Sequence, residues 1–329
     1  MSAQPTEGRA VLALVAVQLL FGVHYSIALE ILTEIRPAAW VGLRCGGAAL
    51  VLALWVVSTG TAWPRRWQAW CRIAALSLLG VVINQVLFIE GLSRSYSIHS
   101  VLIMGTIPMQ TLFFSVLWGR ERVTVRKLAS VSIGALGILV LLRIDRWFLE
   151  SGSHWTLHRD GSIAQGFWDT VLAGDIMMLG NSFSFSLFLV LCQKEARRYS
   201  SLTLTASTFA MGSLGVLIYA APEILRTPYA DISASTWGWA GFTILGPTVG
   251  CYFLNFYAVK RLPASTVGLF IYLQFVIAAL LGVVWRGERF HSGLVVASVL
   301  VLGGLGLRFL GRRGSVRPRA DGAGYETAP

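Results

Sequence analysis

Ten stretches of predominantly apolar residues follow one another along this chain, and each is close to the ~20 residues a helix needs to cross the hydrocarbon core of a bilayer. They fall at about 10–29, 38–58, 70–91, 98–118, 124–142, 172–192, 202–221, 237–258, 264–285 and 292–310. Interior Gly and Pro, as in "GTIPMQ" and "LGPTVG", are compatible with spanning helices because neighbouring helices satisfy the backbone groups they free. Apolar residues make up 55% of the chain and charged ones 13%, about half the charged share of a soluble domain, so most of the surface cannot face water. The fold class expected is an all-α integral membrane protein of ten transmembrane helices.

The formal charge of +11 could suggest nucleic acid, but the basic residues sit in short clusters between apolar runs and not along one face. No nucleic-acid partner is expected; the lipid bilayer is. With the N-terminus inside, 17 of the 27 basic residues fall in inner segments and 8 in outer ones. That positive-inside bias predicts a multi-pass protein of the cell's inner membrane with both termini cytoplasmic. The first apolar run has no clear small-residue cleavage site before the next polar turn and reads as a retained helix. Cys45, Cys71, Cys192 and Cys251 are scattered singly, which implies neither a disulfide framework nor a metal knuckle. Tryptophans near predicted helix ends, such as Trp40, Trp63, Trp118, Trp237 and Trp285, suit interfacial belts.

Two phrases recur: "VLWGRERV" at 116–123 and "VVWRGERF" at 283–290. Laying Trp118 on Trp285, Glu121 on Glu288 and Arg122 on Arg289 gives a constant offset of 167 residues, and the same offset lays Arg94 on Arg261. Five predicted spans separate the phrases, so the second copy is upside down relative to the first. The organisation expected is two inverted five-helix repeats, 10–142 and 172–310, with a cytoplasmic N-terminus at 1–9, an extracytoplasmic loop at 143–171 and a basic, disordered cytoplasmic tail at 311–329. Inverted repeats are typical of transporters that alternate access around a mid-membrane site.

The stretches "EGLSRSYSIHSVLIMGTIPMQTLFFSVLWGRERVTVRKLASVSIGALGILVLL" and "YFLNFYAVKRLPASTVGLFIYLQFVIAALLGVVWRGERF" resemble the two EamA domains of the drug/metabolite transporter superfamily. The shared pattern is a short basic or small-residue turn, a helix with a central proline, a Gly/Glu turn thirteen residues after it and a glycine-rich final helix; Pro108 and Glu121 have this spacing. The resemblance covers nearly the whole chain outside 143–170 and the tail, and implies export of a small metabolite through a central cavity. The second copy departs from it: where the family commonly has Leu-Gln-Pro, this chain has Leu273, Gln274 and Phe275, and Asn255 stands where an aromatic residue is common. Losing the proline predicts a ninth helix straighter than the fourth.

A carrier needs polar groups at membrane depth that face a cavity. The candidates are Gln18 and His24 in the first span, Asn84 and Gln85 in the third, and Thr106 and Gln110, one turn apart, in the fourth. The second half adds Asn181 and Ser184, Tyr252 and Asn255, and Tyr272 and Gln274. Each of these amides and hydroxyls could equally bond only a neighbouring helix. His24 could relay a proton, which makes the proton a candidate coupling ion, or simply pack. Arg44 reads as snorkelling, or as paired with Glu90 or Glu30.

Structural roles are expected for Pro108, for Glu121 and Glu288 as acceptors of N–H groups at the start of the following helix or as partners of an adjacent arginine, and for Asp175 as the cap of the sixth helix. His154 and His158, at i, i+4 spacing before Asp160, lack a helical context, so no metal is expected. There is no P-loop, dinucleotide fingerprint or nucleophile triad, so neither a cofactor nor an enzymatic activity is expected. The function expected is a secondary transporter of a small organic metabolite, such as an amino acid or nucleobase. The alternatives are a non-transporting membrane partner or sensor subunit, and a membrane-embedded enzyme.

Overall fold

A computed structural model describes residues 5–95, 97–141, 167–286 and 292–309, and among these every regular element is helical. In chain order they are α1 (Pro5–Ile31), α2 (Pro37–Thr59), α3 (Trp67–Arg94), α4 in two pieces (Ser97–Met104 and Ile107–Leu117), α5 (Val125–Leu141), α6 (Phe167–Arg198), α7 (Ser201–Arg226), α8 (Ala234–Val259), α9 in two pieces (Ala264–Leu269 and Ile271–Arg286) and α10 (Ser292–Phe309). Eight of them are long and apolar enough to cross a membrane, and Gly293–Phe309 is a shorter apolar helix. The remaining one, α5, is 17 residues long and lies along α10. The ten observed helices match the ten predicted spans, with ends moved by a few residues.

Local chemistry explains where the helices stop. Pro37 opens α2, where its missing N–H has no helical partner to lose. Gly60 and Gly119 close α2 and α4 in the left-handed region, with φ of 61° and 64°. Ser200 and Ser233 cap α7 and α8 by accepting from Thr203 N and Thr236 N. Glu34, in the turn after α1, accepts from both the N–H and the hydroxyl of Ser233. These bonds hold its carboxyl below the usual carboxylate range.

Large apolar side chains lie outward, among them Val57, Ile218, Leu225 and Val284, an arrangement suited to hydrocarbon and not to water. Helices approach closely where glycine removes the side chain. A Cβ on Gly42 of α2 would lie 2.5 Å from that of Ala220 on α7, and one on Gly304 of α10 would lie 2.8 Å from the Ser130 carbonyl on α5. The main packing pairs are α2 with α7, α5 with α10, α3 with α6, α1 with α8, α4 with α6, α3 with α7, α1 with α9, α4 with α9 and α2 with α8. Exchanging each helix n with helix n+5 maps this set onto itself.

The same exchange relates two wide turns. Residues Leu78–Ile83 of α3 and Ile244–Gly250 of α8 are π-helical, and the 167-residue offset lays 78–83 on 245–250. The widened turn in α8 accommodates Pro247, which has no N–H to donate, and Thr248 Oγ1 donates to the Thr243 carbonyl at 2.8 Å. In α3 the carbonyls of the wide turn take donors from other helices. Ser184 Oγ reaches Leu79 O and the Tyr252 hydroxyl reaches Gly80 O, each at 2.6 Å. Side chains of α6 and α8 thus hold the irregular backbone that membrane burial would otherwise penalise.

Two expectations about helix shape are corrected. Pro108 does mark an interruption: α4 breaks at Gly105–Thr106, and the proline sits in the first turn of the second piece. The ninth helix is also interrupted, without a proline. At Phe270 the ladder switches to i→i−3 bonds, Phe270 N to Val267 O and Leu273 N to Phe270 O. Asp175 does not cap α6, because the helix begins at Phe167 and runs through it. Gly174 leaves room there for α3, since a Cβ would lie 2.7 Å from the Ser95 nitrogen, so the glycine marks a helix contact and not a helix start.

Candidate functional site

A cavity lies between α1, α2, α3, α4, α6, α8 and α9, with about 670 Å³ of space not filled by protein atoms, its open side included. Each helix but α2, which supplies Arg44 alone, contributes residues at helical spacing, as a single face must. Gln18, Phe21 and His24 recur every three residues on α1, and Gln85 and Phe88 do so on α3. Asn181, Phe185 and Leu189 recur every four on α6, and Val267, Ile271 and Gln274 line one side of α9. The walls are therefore apolar and aromatic with a few polar groups among them, the usual make-up of a small-molecule site.

Six of the polar groups, His24, Arg44, Asn84, Gln85, Asn181 and Tyr252, form one connected network. Arg44 Nη1 lies 3.0 Å from His24 Nε2, and Nη2 donates to Gln85 Oε1. Gln85 Nε2 donates to Asn84 Oδ1 at 2.8 Å and to the Tyr252 hydroxyl at 2.7 Å. Asn181 Nδ2 donates to the Asn84 carbonyl at 2.7 Å. Arginine can only donate, so His24 accepts at Nε2 and carries its hydrogen on Nδ1. Among the described residues, four buried polar atoms of the lining have no partner: Gln18 Oε1, His24 Nδ1, Arg44 Nε and Asn181 Oδ1. Among the described residues no Asp or Glu lines the cavity.

Of the residues singled out in the sequence, Gln18, His24, Asn84, Gln85, Asn181, Tyr252, Asn255 and Gln274 line this cavity. Thr106, Gln110, Ser184 and Tyr272 do not. Gln110 joins α4 to α6 instead, donating to Thr106 Oγ1 and Ser182 Oγ and accepting from Ser186 Oγ. Thr106 donates to the Ile103 carbonyl at the break in α4. Ser184 serves the wide turn of α3. Tyr272 is buried against α5, where a Cβ on Gly134 would strike its ring.

Arg44 is the residue that sequence reasoning placed wrongly. It neither snorkels nor pairs with Glu90 or Glu30: it is 2% exposed and faces the cavity. Glu90 is engaged by Arg94 and by the Tyr219 hydroxyl. The signal available was an arginine two turns inside an apolar span in a chain that also carries His24 and Gln85 at membrane depth.

Comparison with known proteins places this architecture. The model of the EamA-like transporter family matches the chain twice, at residues 8–143 and 172–310. The chain belongs to the EamA-like transporter family. It is 22% identical over 277 residues to an uncharacterized transporter of Archaeoglobus fulgidus, covering 83% of this chain and 88% of that one. It is 30% identical over 241 residues to an S-adenosylmethionine/S-adenosylhomocysteine transporter of Chlamydia trachomatis serovar L2, covering 70% of this chain and 68% of that one. A protein of known crystal structure shares the fold, with a TM-score of 0.71 at 18% identity over 92% of this chain and 97% of that one. The expectation of a drug/metabolite-type transporter of the EamA kind is thereby met.

Polar clamps sit at the two ends of α4 in this EamA-like transporter. At one end, Asp175 of α6 binds His99 Nδ1 at 2.8 Å and the Ser95 hydroxyl. At the other, Glu121 accepts from Ser265 N at 3.2 Å and Ser265 Oγ at 2.6 Å, at the first turn of α9, and pairs with Lys127 at 2.8 Å. Arg308 of α10 lies 3.6 Å from the same carboxylate. The helix start that Glu121 serves is thus in the other half of the chain, and not the following helix, α5. Burial pushes its carboxyl up, but the bonds from Lys127 and Ser265 outweigh it and hold the group below the usual range. Glu288 lies outside the described residues, as do His154 and His158. Among the described residues no cluster of three metal-ligating side chains occurs, and Cys45, Cys71, Cys192 and Cys251 are all free thiols.

Proposed function

We propose that this chain is a secondary carrier that moves a small organic metabolite across the inner membrane by alternating access, with export the favoured direction from the family likeness. The observation that carries this reading is the cavity: polar side chains from both halves of the chain converge at membrane depth, where such groups are costly unless used. Its walls come from α1–α4 on one side and α6, α8 and α9 on the other.

An inverted repeat is supported by four features. The family model matches twice, five helices lie between corresponding points, the packing pairs survive exchange of n with n+5, and both wide turns keep the 167-residue offset. Gln85 and Tyr252, also 167 residues apart, bond each other directly, so a pseudo-two-fold axis would pass near the cavity. The mechanism is a rocking of one half against the other around this mid-membrane cavity. The clamps at His99–Asp175 and Glu121–Ser265 would open in turn, since each joins one half to the other. The positive-inside count supports cytoplasmic termini.

The substrate named for the Chlamydia relative is one starting compound for the test. Purified protein in liposomes preloaded with single unlabelled metabolites, covering amino acids, nucleobases, nucleosides and S-adenosyl compounds, is given the same labelled metabolite outside. Counterflow of at least one compound above protein-free liposomes is expected. Absence of counterflow for every class in both loading directions would overturn the carrier reading.

A further inference from the structure

Resting on the carrier reading above, we propose that the cavity binds the carboxylate of a small organic acid at Arg44, and that its substrates are acids bearing at least one further N–H or O–H donor. Arg44 is 2% exposed and forms part of the cavity wall. A cation at membrane depth is costly and is ordinarily paired. Here the bonded partners are two neutral acceptors, His24 Nε2 and Gln85 Oε1, and among the described residues no acid lines the cavity. A neutral amide at position 44 could hold α1, α2 and α3 together without that cost, so tying helices does not explain a guanidinium. A carboxylate arriving with the substrate does.

The unpartnered atoms give the rest of the pattern. Arg44 Nε and His24 Nδ1 are buried donors with nothing to bond, suited to the two oxygens of a carboxylate. Gln18 Oε1 and Asn181 Oδ1 are buried acceptors with nothing to bond, which is why the proposed substrate carries a donor besides its acid group, as amino and hydroxy acids do. Phe21, Phe88, Phe185 and Leu189 enclose an apolar body between them. With one cation and no acid among the described residues of the wall, the site opposes solutes of net positive charge.

The test compares matched acid, amide and amine probes: L-leucine, L-leucinamide and isoamylamine; L-phenylalanine, L-phenylalaninamide and phenethylamine; and 2-hydroxyisocaproate with its amide. Melting temperature of the full chain in lipid nanodiscs reports binding, and counterflow in liposomes reports transport. The acid of at least one set should stabilise and move while its amide and amine do not, and Arg44→Gln should bind that acid at least about tenfold more weakly, about 1.4 kcal/mol. Amides or amines that bind as well as the acids overturn the proposal, and so does a folded Arg44→Gln protein that still prefers acid to amide. Should Arg44→Gln fail to fold, the wild-type comparison decides alone. Flux of neutral or cationic solutes with no binding of any acid overturns the proposal and leaves the carrier reading standing. No flux of any class removes both.

Discussion

Two glutamines, Gln110 of α4 and Gln274 of α9, have different neighbours. Gln274 lines the cavity, whereas Gln110 is committed to Thr106, Ser182 and Ser186. Replacing Gln274 by Ala should therefore weaken substrate affinity about tenfold, the effect of losing about 1.4 kcal/mol, with little change in melting temperature. Gln110→Ala should lower stability by about 1 kcal/mol and leave affinity alone; initial rates against substrate concentration, with thermal melts of both variants, separate the two outcomes. Residue type and place along a helix were legible in the sequence, and eight of the twelve polar candidates reach the cavity wall. The direction each faces was not, because an amide set among apolar neighbours leaves the same periodicity whether it meets a cavity or a helix. Arg44 was misread for a related reason: its distance from a helix end is visible in sequence, but the acceptors that hold it inside, His24 and Gln85, lie 20 and 41 residues away.

Glu121 acts between elements, since its carboxylate joins the turn before α5 to the first residues of α9 and to the end of α10. Its acidity is raised in the folded protein, so its charged form stabilises the fold fully above the ordinary carboxylate pKa of about 4.3, and that contribution is lost as pH falls through the lower, folded value. Glu121→Gln should cost about 1–3 kcal/mol at neutral pH, read as a lower melting temperature. The mutant's melting temperature should also decline less than the wild type's on acidification from pH 6 to pH 3. Equal declines would remove Glu121 from this role. The expectation of a structural part for this residue comes from its place after an apolar run. The partner was not legible, because Ser265 is 144 residues distant and only the packing of α4 on α9 brings it near. The break in α9 was likewise hidden: proline is the sequence mark of an interrupted helix, and Phe270 carries no such mark.

For the molecule as a whole, helix number was the most legible property, since apolar runs of membrane length are hard to mistake. The pairing of halves was legible only as an offset between two phrases; which helices touch depends on small residues such as Gly42 and Gly304, whose partners on α7 and α5 no periodicity reveals. The proposed orientation rests on the basic clusters and can be checked directly. In a variant without the four native cysteines, Ser235→Cys, at the start of α8, should react with an impermeant maleimide added to intact cells, and Ala62→Cys, between α2 and α3, should react only after permeabilisation. Labelling of Ala62→Cys in intact cells would reverse the topology. The bond between Gln85 and Tyr252 bears on ancestry. If the two halves arose from one gene, an assembly of identical copies would have set each residue at this place against its own duplicate, glutamine on glutamine or tyrosine on tyrosine. Once fused, the copies could diverge, and a glutamine that bonds Arg44 through its oxygen could give its nitrogen to a phenol that in turn holds the Gly80 carbonyl. Two first halves expressed as separate copies would have no phenol to offer at that point, so on that history the centre of this protein is one that a duplication could not build until the duplicates had become different.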